Sequence, residues 1–217
     1  MNVALRSKVP GSVTCDIRAV AGRDVAWVEV DAAERRGALT SDSSSTLEAA
    51  AATARANGIP LVCVMRSSGA DIVEGFAALH GWGRAAKALA DCSGIVPTVF
   101  VVDGPAVSGP ALLLGLADHV VMTREAYAFV SGPTMVAEFT GVMMDNQELG
   151  GAASHARYTG AATLIADDIE SALALVEQLL SYFPSNNSQE PPMWATDDPH
   201  DRATEEAGEL LPATSTG

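Results

Sequence analysis

Basic residues are scarce in this 217-residue chain: 13 Lys and Arg stand against 27 Asp and Glu, a formal net charge of −14. A surface of that sign repels nucleic acid and anionic membranes, so neither is expected as a partner. Cysteine is equally sparse. Cys15, Cys63 and Cys92 form no Cys-x-x-Cys and no His–Cys cluster, so no metal site is expected. They read as reduced thiols of a cytoplasmic protein. The opening "MNVALRSKVPGS" lacks the apolar run of a signal peptide, and no stretch approaches the length of a membrane span. Internal repeats are missing as well.

What the chain does have is apolar content, 48%, enough for one well-filled core. "SVTCDIRAV" and "VAWVEVD" read as strands of a hairpin joined through "AGRD". From Thr40 a Ser-rich cap leads into the Ala-rich helix "TLEAAAATARANG", stopped by Gly58 and Pro60. Two continuous apolar strands follow, "IPLVCVM" and "PTVFVVD", separated by a helix around "FAALHGWGRAAKALAD". A helix "ALLLGLA", a short strand "HVVMT" and the helix "DIESALALVEQLLSYF" complete the pattern. Strands alternating with helices predict an α/β fold with right-handed crossovers. Residues 1–184 are expected to form one domain, and 185–217, rich in Pro, Ser, Asp and Glu, an extended or disordered acidic tail. Trp194 and Leu210-Leu211 are its candidates for docking.

Both apolar strands end in small-residue loops, "RSSGADIVEG" and "GPAVSGP". The first has the glycines of a phosphate loop but no lysine. Ligands bind at the carboxyl ends of strands in such sheets, so Gly69-Ala70 and Ser108-Gly109 are placed to present main-chain N–H groups to a ligand. Pro110 suits the start of the following helix. Glycines also simply permit close packing of helix on strand, and from the local sequence this plainer reading carries more weight.

"ERRGALTSDSSSTL", "SSGADIVEG" and "DGPAVSGPALLLGLADHVVM" together resemble the crotonase superfamily in order and spacing. "FVSGPTMVAEFTG", "QELGGAASHARYTGAATLIADDIESALALVEQLLSYFPSNN" and the opening hairpin are similar to the N-terminal domain of carboxyltransferase β subunits of propionyl-CoA and acetyl-CoA carboxylases. The resemblance implies a crotonase-like (ClpP/crotonase) ββα superhelix. It also implies transfer of a carboxyl group between biotin and the α-carbon of an acyl-CoA, through an enolate held by main-chain N–H groups. Carried over, the oxyanion hole falls on Ser108 and Gly109, with Gly69 and Ala70 on the facing loop. Arg35 and Arg36, beside Ala38, fall where the superfamily cradles the CoA nucleotide, although solvated surface arginines read the same way. Ser131 and His155 become candidate contacts to the acyl group, against a plain structural role for each.

Departures accompany the likeness. The family's "SGGARIQEG" is here "SSGADIVEG", so Asp71 replaces an arginine and Val73 a glutamine, and "CAGG" has become "AVSG". Leu112 stands where hydratases of the superfamily carry a catalytic glutamate. Relative to the family the chain begins after an N-terminal helical segment and ends near the interdomain linker, which implies half of a site that is completed by a second domain. No covalently bound cofactor is expected; a CoA or acyl-carrier-protein thioester would be the substrate, with biotin on a partner protein. The expected assembly is a homo-oligomer, trimer or hexamer, or a hetero-oligomer with a C-domain-like subunit. Two alternatives to carboxylation follow from the same residues: biotin-independent decarboxylation of a malonyl or methylmalonyl thioester, and a non-catalytic subunit that stabilises a complex.

Overall fold

The computed structural model describes residues 4–5 and 11–210. Strands β2 (Val13–Val20) and β3 (Arg23–Val30) form the expected hairpin. Its two-residue turn, Ala21-Gly22, has φ of 50° and 77°. Two consecutive left-handed residues match the right-handed twist of the strands they join. Helix α1 (Ser41–Asn57) starts where Thr40 accepts the Ser43 N–H and stops at Gly58 in the left-handed conformation.

Strands β4 (Leu61–Ser67) and β5 (Thr98–Val107) lie parallel to β3, with helix α2 (Phe76–Ala90) crossing between them. After the short helix α3 (Gly109–Leu113) come β6 (His119–Thr123) and β7 (Tyr127–Phe129), both parallel to β5. Helices α4 (Pro133–Thr140), α5 (Asn146–Gly150) and α6 (Ala152–Ser154) follow, the last running into a π-helical turn, His155–Thr159. Strand β8 (Leu164–Ala166) pairs with β6, and helix α7 (Ile169–Tyr182) closes the core. A short strand β1 (Ala4–Leu5) flanks β2, giving one eight-stranded sheet in the order β1-β2-β3-β4-β5-β6-β8, with β7 beside β5.

The inner strands read as continuous apolar runs because both faces of the sheet are covered. Ala26, Val28, Cys63, Met65, Phe100 and Met122 point into one cluster with Leu47 of α1 and Leu89 of α2. The alternate residues Val25, Trp27, Val62, Val99, Val101 and Val121 meet Val176 and Leu180 of α7 on the other face.

One irregularity shapes the site. Met65 pairs with Val102, but Ser67 pairs with Ala106, so β5 spends three residues, Asp103, Gly104 and Pro105, opposite Arg66 alone. Gly104 turns at φ 112°. The Arg66 guanidinium binds both the Asp103 carbonyl and its carboxylate, and the Thr123 hydroxyl donates to the same carboxylate at 3.0 Å. The bulge redirects β5, so its first half pairs with β6 and its second half with β7.

Beyond Pro184 the described chain has no regular structure until α8 (Glu205–Glu209). Asn186 donates to the Gly58 carbonyl at 2.8 Å and the Asn187 N–H to the Ile95 carbonyl at 2.9 Å, so bonds to the core extend past the expected boundary. Trp194 meets Tyr182 edge-on at 5.8 Å between ring centres, whereas Leu210 stays exposed. Leu211 lies outside the described residues.

Candidate functional site

The loops after β4 and β5 do converge. An ideal Cβ on Gly69 would stand 3.0 Å from Cβ of Ser108, and Gly69 itself adopts φ 116°, which only glycine takes freely. A second contact comes from the turn at Arg35–Gly37, where three consecutive residues have positive φ, 48°, 55° and 71°. Gly37 is obligatory there, since a Cβ would lie 1.9 Å from the Arg66 carbonyl oxygen. Two carbonyls of the turn are bonded to the loop: the Ser68 N–H donates to the Arg36 carbonyl at 3.0 Å and the Ser67 hydroxyl to the Gly37 carbonyl at 2.7 Å.

The four expected N–H donors are not equivalent. Leu39 donates to the Gly69 carbonyl and accepts from the Asp71 N–H, both at 2.9 Å, so the intervening Ala70 N–H points away from Leu39. Gly69 donates to the Ser67 hydroxyl at 3.2 Å. The Ser108 N–H is committed to the Phe129 carbonyl at 2.9 Å. Gly109 opens α3, where a first-turn N–H has no partner within the helix. Among the described residues no protein acceptor takes the N–H of Ala70 or of Gly109. The free pair is therefore Ala70 and Gly109, with Gly69 and Ser108 holding the two loops in shape.

A groove of about 390 Å³ lies against Ala70, lined by Arg35, Arg36, Ala38, Ser68, Ala70, Asp71, Ile72 and Val73, and Gly109 stands on the neighbouring loop, next to the Gly69–Ser108 contact. Asp71 is buried and its carboxylate accepts from Arg35 at 2.8 Å and from the Val73 and Glu74 N–H groups at 2.8 and 3.3 Å. Burial alone would raise its pKa; the Val73 N–H, the Arg35 guanidinium and the Glu74 N–H outweigh burial and hold it below the usual carboxylate value. Arg35 and Asp71 thus cancel in charge. Arg36 is exposed and has no salt bridge among the described residues, so it carries the groove's net positive charge.

Other candidates are placed elsewhere. His155 sits in the π-helical turn with Nε2 2.7 Å from the Ala128 carbonyl and Nδ1 2.8 Å from the Thr159 hydroxyl. A carbonyl only accepts, so Nε2 donates to Ala128. Both nitrogens have partners, so His155 ties the turn to β7. Ser131 is exposed in the turn between β7 and α4, on the loop that leaves Phe129. Glu74 accepts the Ser41 N–H at 2.7 Å and anchors the loop to α1. Glu148 forms a capping box with Asp145. Trp82 of α2 lies so close to Gly109 that a Cβ there would be 2.7 Å from its indole nitrogen.

The model of the carboxyl transferase domain matches residues 2–217. The chain belongs to that family. It is 31% identical over 171 residues to the methylmalonyl-CoA carboxyltransferase 12S subunit of Propionibacterium freudenreichii, covering 79% of this chain and 33% of that one. Identity to the propionyl-CoA carboxylase carboxyltransferase subunit of Haloferax mediterranei is 34% over 156 residues, 71% of this chain and 30% of the relative. Methylmalonyl-CoA decarboxylase subunit alpha of Veillonella parvula is 32% identical over 157 residues, 72% of this chain and 31% of that. A transcarboxylase 12S crystal structure, a hexamer with hydrolysed methylmalonyl-CoA bound, superposes with a TM-score of 0.87 at 26% identity, over 91% of this chain and 41% of that chain. The α/β fold is therefore the crotonase-like one of these carboxyltransferases. The chain spans about a third of the length of the curated relatives it matches.

Proposed function

We propose that this chain is the acyl-thioester half of a carboxyltransferase, carboxylating a short acyl-CoA together with a biotin-side partner domain. The observation that carries the reading is the pair of unbonded N–H groups, that of Ala70 in a groove whose net charge is positive and that of Gly109 on the loop that meets it. A thioester oxygen that accepts both bonds gathers negative charge as the α-proton leaves. Each preorganised donor of this kind contributes roughly 3–4 kcal/mol in other enzymes. The α-carbon of the resulting enolate would then bond to the carboxyl carbon as that carbon's bond to N1 of the partner's biotin breaks, and N1, left with the electron pair, would take up the α-proton. Biotin on the partner holds that carboxyl group in activated form. Arg36 is suited to a CoA phosphate, and the apolar Ile72 and Val73 flank the path of the acyl-pantetheine arm. Ser131 remains a candidate for the acyl end.

Exposed apolar side chains surround the same edge. Ile72, Val73 and Phe76 are each about nine-tenths exposed, and α4, which buries no residue, shows Met135 and Phe139 to solvent, with Met143 exposed just beyond it. Apolar surface on this scale marks an interface. We assign it to the partner domain or a second copy that completes the site. Decarboxylation of a malonyl or methylmalonyl thioester passes through the same enolate, and the 32% identity to a methylmalonyl-CoA decarboxylase subunit keeps that reaction as the second reading.

The test is calorimetric titration of the purified chain with propionyl-CoA, followed by carboxyl transfer with a biotinylated carrier and a carboxyltransferase C-terminal domain added. Binding by the chain alone, with transfer only after the partner is supplied, is expected. Loss of CO2 from malonyl-CoA without any partner would favour the second reading. Failure to bind any acyl-CoA would overturn both.

A further inference from the structure

Ser108 turns at φ 62°, ψ −139°, a combination open to glycine and strained for any residue with a β-carbon. Glycine would make the same turn and the same bond from N–H to the Phe129 carbonyl, without strain. What serine adds is its side chain, and that side chain is exposed and bonded to no protein atom among the described residues. It stands in the gap between the loops, with Oγ 3.7 Å from where a Gly69 Cβ would be, in space that Gly69 leaves open by having no side chain. The free N–H groups of Ala70 and Gly109 belong to the residues next to these two.

We propose that the Ser108 hydroxyl is a third hydrogen-bond donor to the thioester group of the substrate. The inference rests on the acyl-thioester reading and deepens it. No histidine or carboxylate bonds Oγ among the described residues, so nothing is placed to take its proton and make it a nucleophile. A neutral hydroxyl beside two main-chain donors instead gives its proton to an oxygen that is gaining charge, and needs no base to do so.

Ser108→Gly and Ser108→Ala separate this role from a structural one. The probe is [1-13C]propionyl-CoA bound to the full chain, with isotope-edited infrared spectroscopy of the thioester carbonyl alongside thermal melting. In the wild type the carbonyl band should move to lower frequency on binding. Both variants should give back part of that shift, and where turnover is measurable kcat should fall on the order of tenfold with KM little changed. Ser108→Gly should also melt at a higher temperature than wild type, because the strain is gone, whereas Ser108→Ala keeps the strain and lacks only the hydroxyl. If the wild-type band shifts and both folded variants keep the whole shift and the full rate, the serine role is wrong and the main-chain oxyanion hole stands. If propionyl-CoA does not bind, or binds without any shift, the serine role falls together with the acyl-thioester reading.

Discussion

The indole of Trp82 closes off the Cα of Gly109: an ideal Cβ at Gly109 would lie 2.7 Å from both Nε1 and Cε2 of the ring. The glycine at the start of α3 is therefore fixed by a helix, α2, that comes from the preceding crossover. Gly109→Ala should destabilise the chain by about 1–3 kcal/mol, the usual range for overpacking, read as a lower urea midpoint at unchanged m-value. The same clash makes Gly109→Pro unsuitable for simply deleting the N–H. A double variant with Trp82→Leu should recover part of the Gly109→Ala loss, and additive losses would show that the ring is not what the methyl group meets.

Arg36→Ala removes the groove's unbalanced positive charge. Its effect should be weaker binding of propionyl-CoA, by roughly tenfold at low ionic strength and less at high salt, as expected of a partly exposed contact to a phosphate. Titration calorimetry at two salt concentrations reads both. Equal affinities for variant and wild type at low salt would remove Arg36 from the nucleotide site.

Asp71 titrates below the ordinary carboxylate range in the folded chain. Its carboxylate therefore contributes stability that is fully present above about pH 4, the unfolded value, and is lost as pH falls through the lower folded value. Asp71→Asn should be less stable than wild type at pH 7, and the gap should narrow as the pH is taken below 4. Urea midpoints from pH 7 to pH 3 check this; a gap that widens on acidification would contradict the assigned direction.

Much of this architecture was legible because the physical causes are local. Thr40, Gly58 and Pro60 bracket α1, and the runs "IPLVCVM" and "PTVFVVD" can be continuous only if both faces of their strands are buried. The two loops of the site were visible as small residues after buried strands. Which N–H groups are free was not legible, since it depends on Phe129 accepting from Ser108 and Leu39 pairing around Ala70, contacts between residues far apart in the chain. The same holds for Asp71. In sequence it is a lost arginine, and in space it neutralises Arg35 and anchors the loop through the Val73 and Glu74 N–H groups. Strands β7 and β8, three residues each, carry too short a period to be read at all.

The apolar edge predicts association. Phe139→Asp on α4, where the side chain is 91% exposed, should leave the far-ultraviolet dichroism unchanged and lower the sedimentation coefficient of any assembly the chain forms alone or with its partner. An assembly indifferent to a charge at this position would place the interface elsewhere.

On the proposed reading, the N–H groups of Ala70 and Gly109 receive a thioester oxygen. A co-crystal structure of the chain with a non-hydrolysable propionyl-CoA analogue tests it most directly. The carbonyl oxygen should lie 2.7–3.1 Å from both main-chain nitrogens, the distance expected of oxyanion donors, with the nucleotide beside Arg36. An analogue seated elsewhere, for instance in the cavity of about 380 Å³ around His119 and Phe183 near the amino ends of β5 and β6, with both N–H groups left to water, would contradict it.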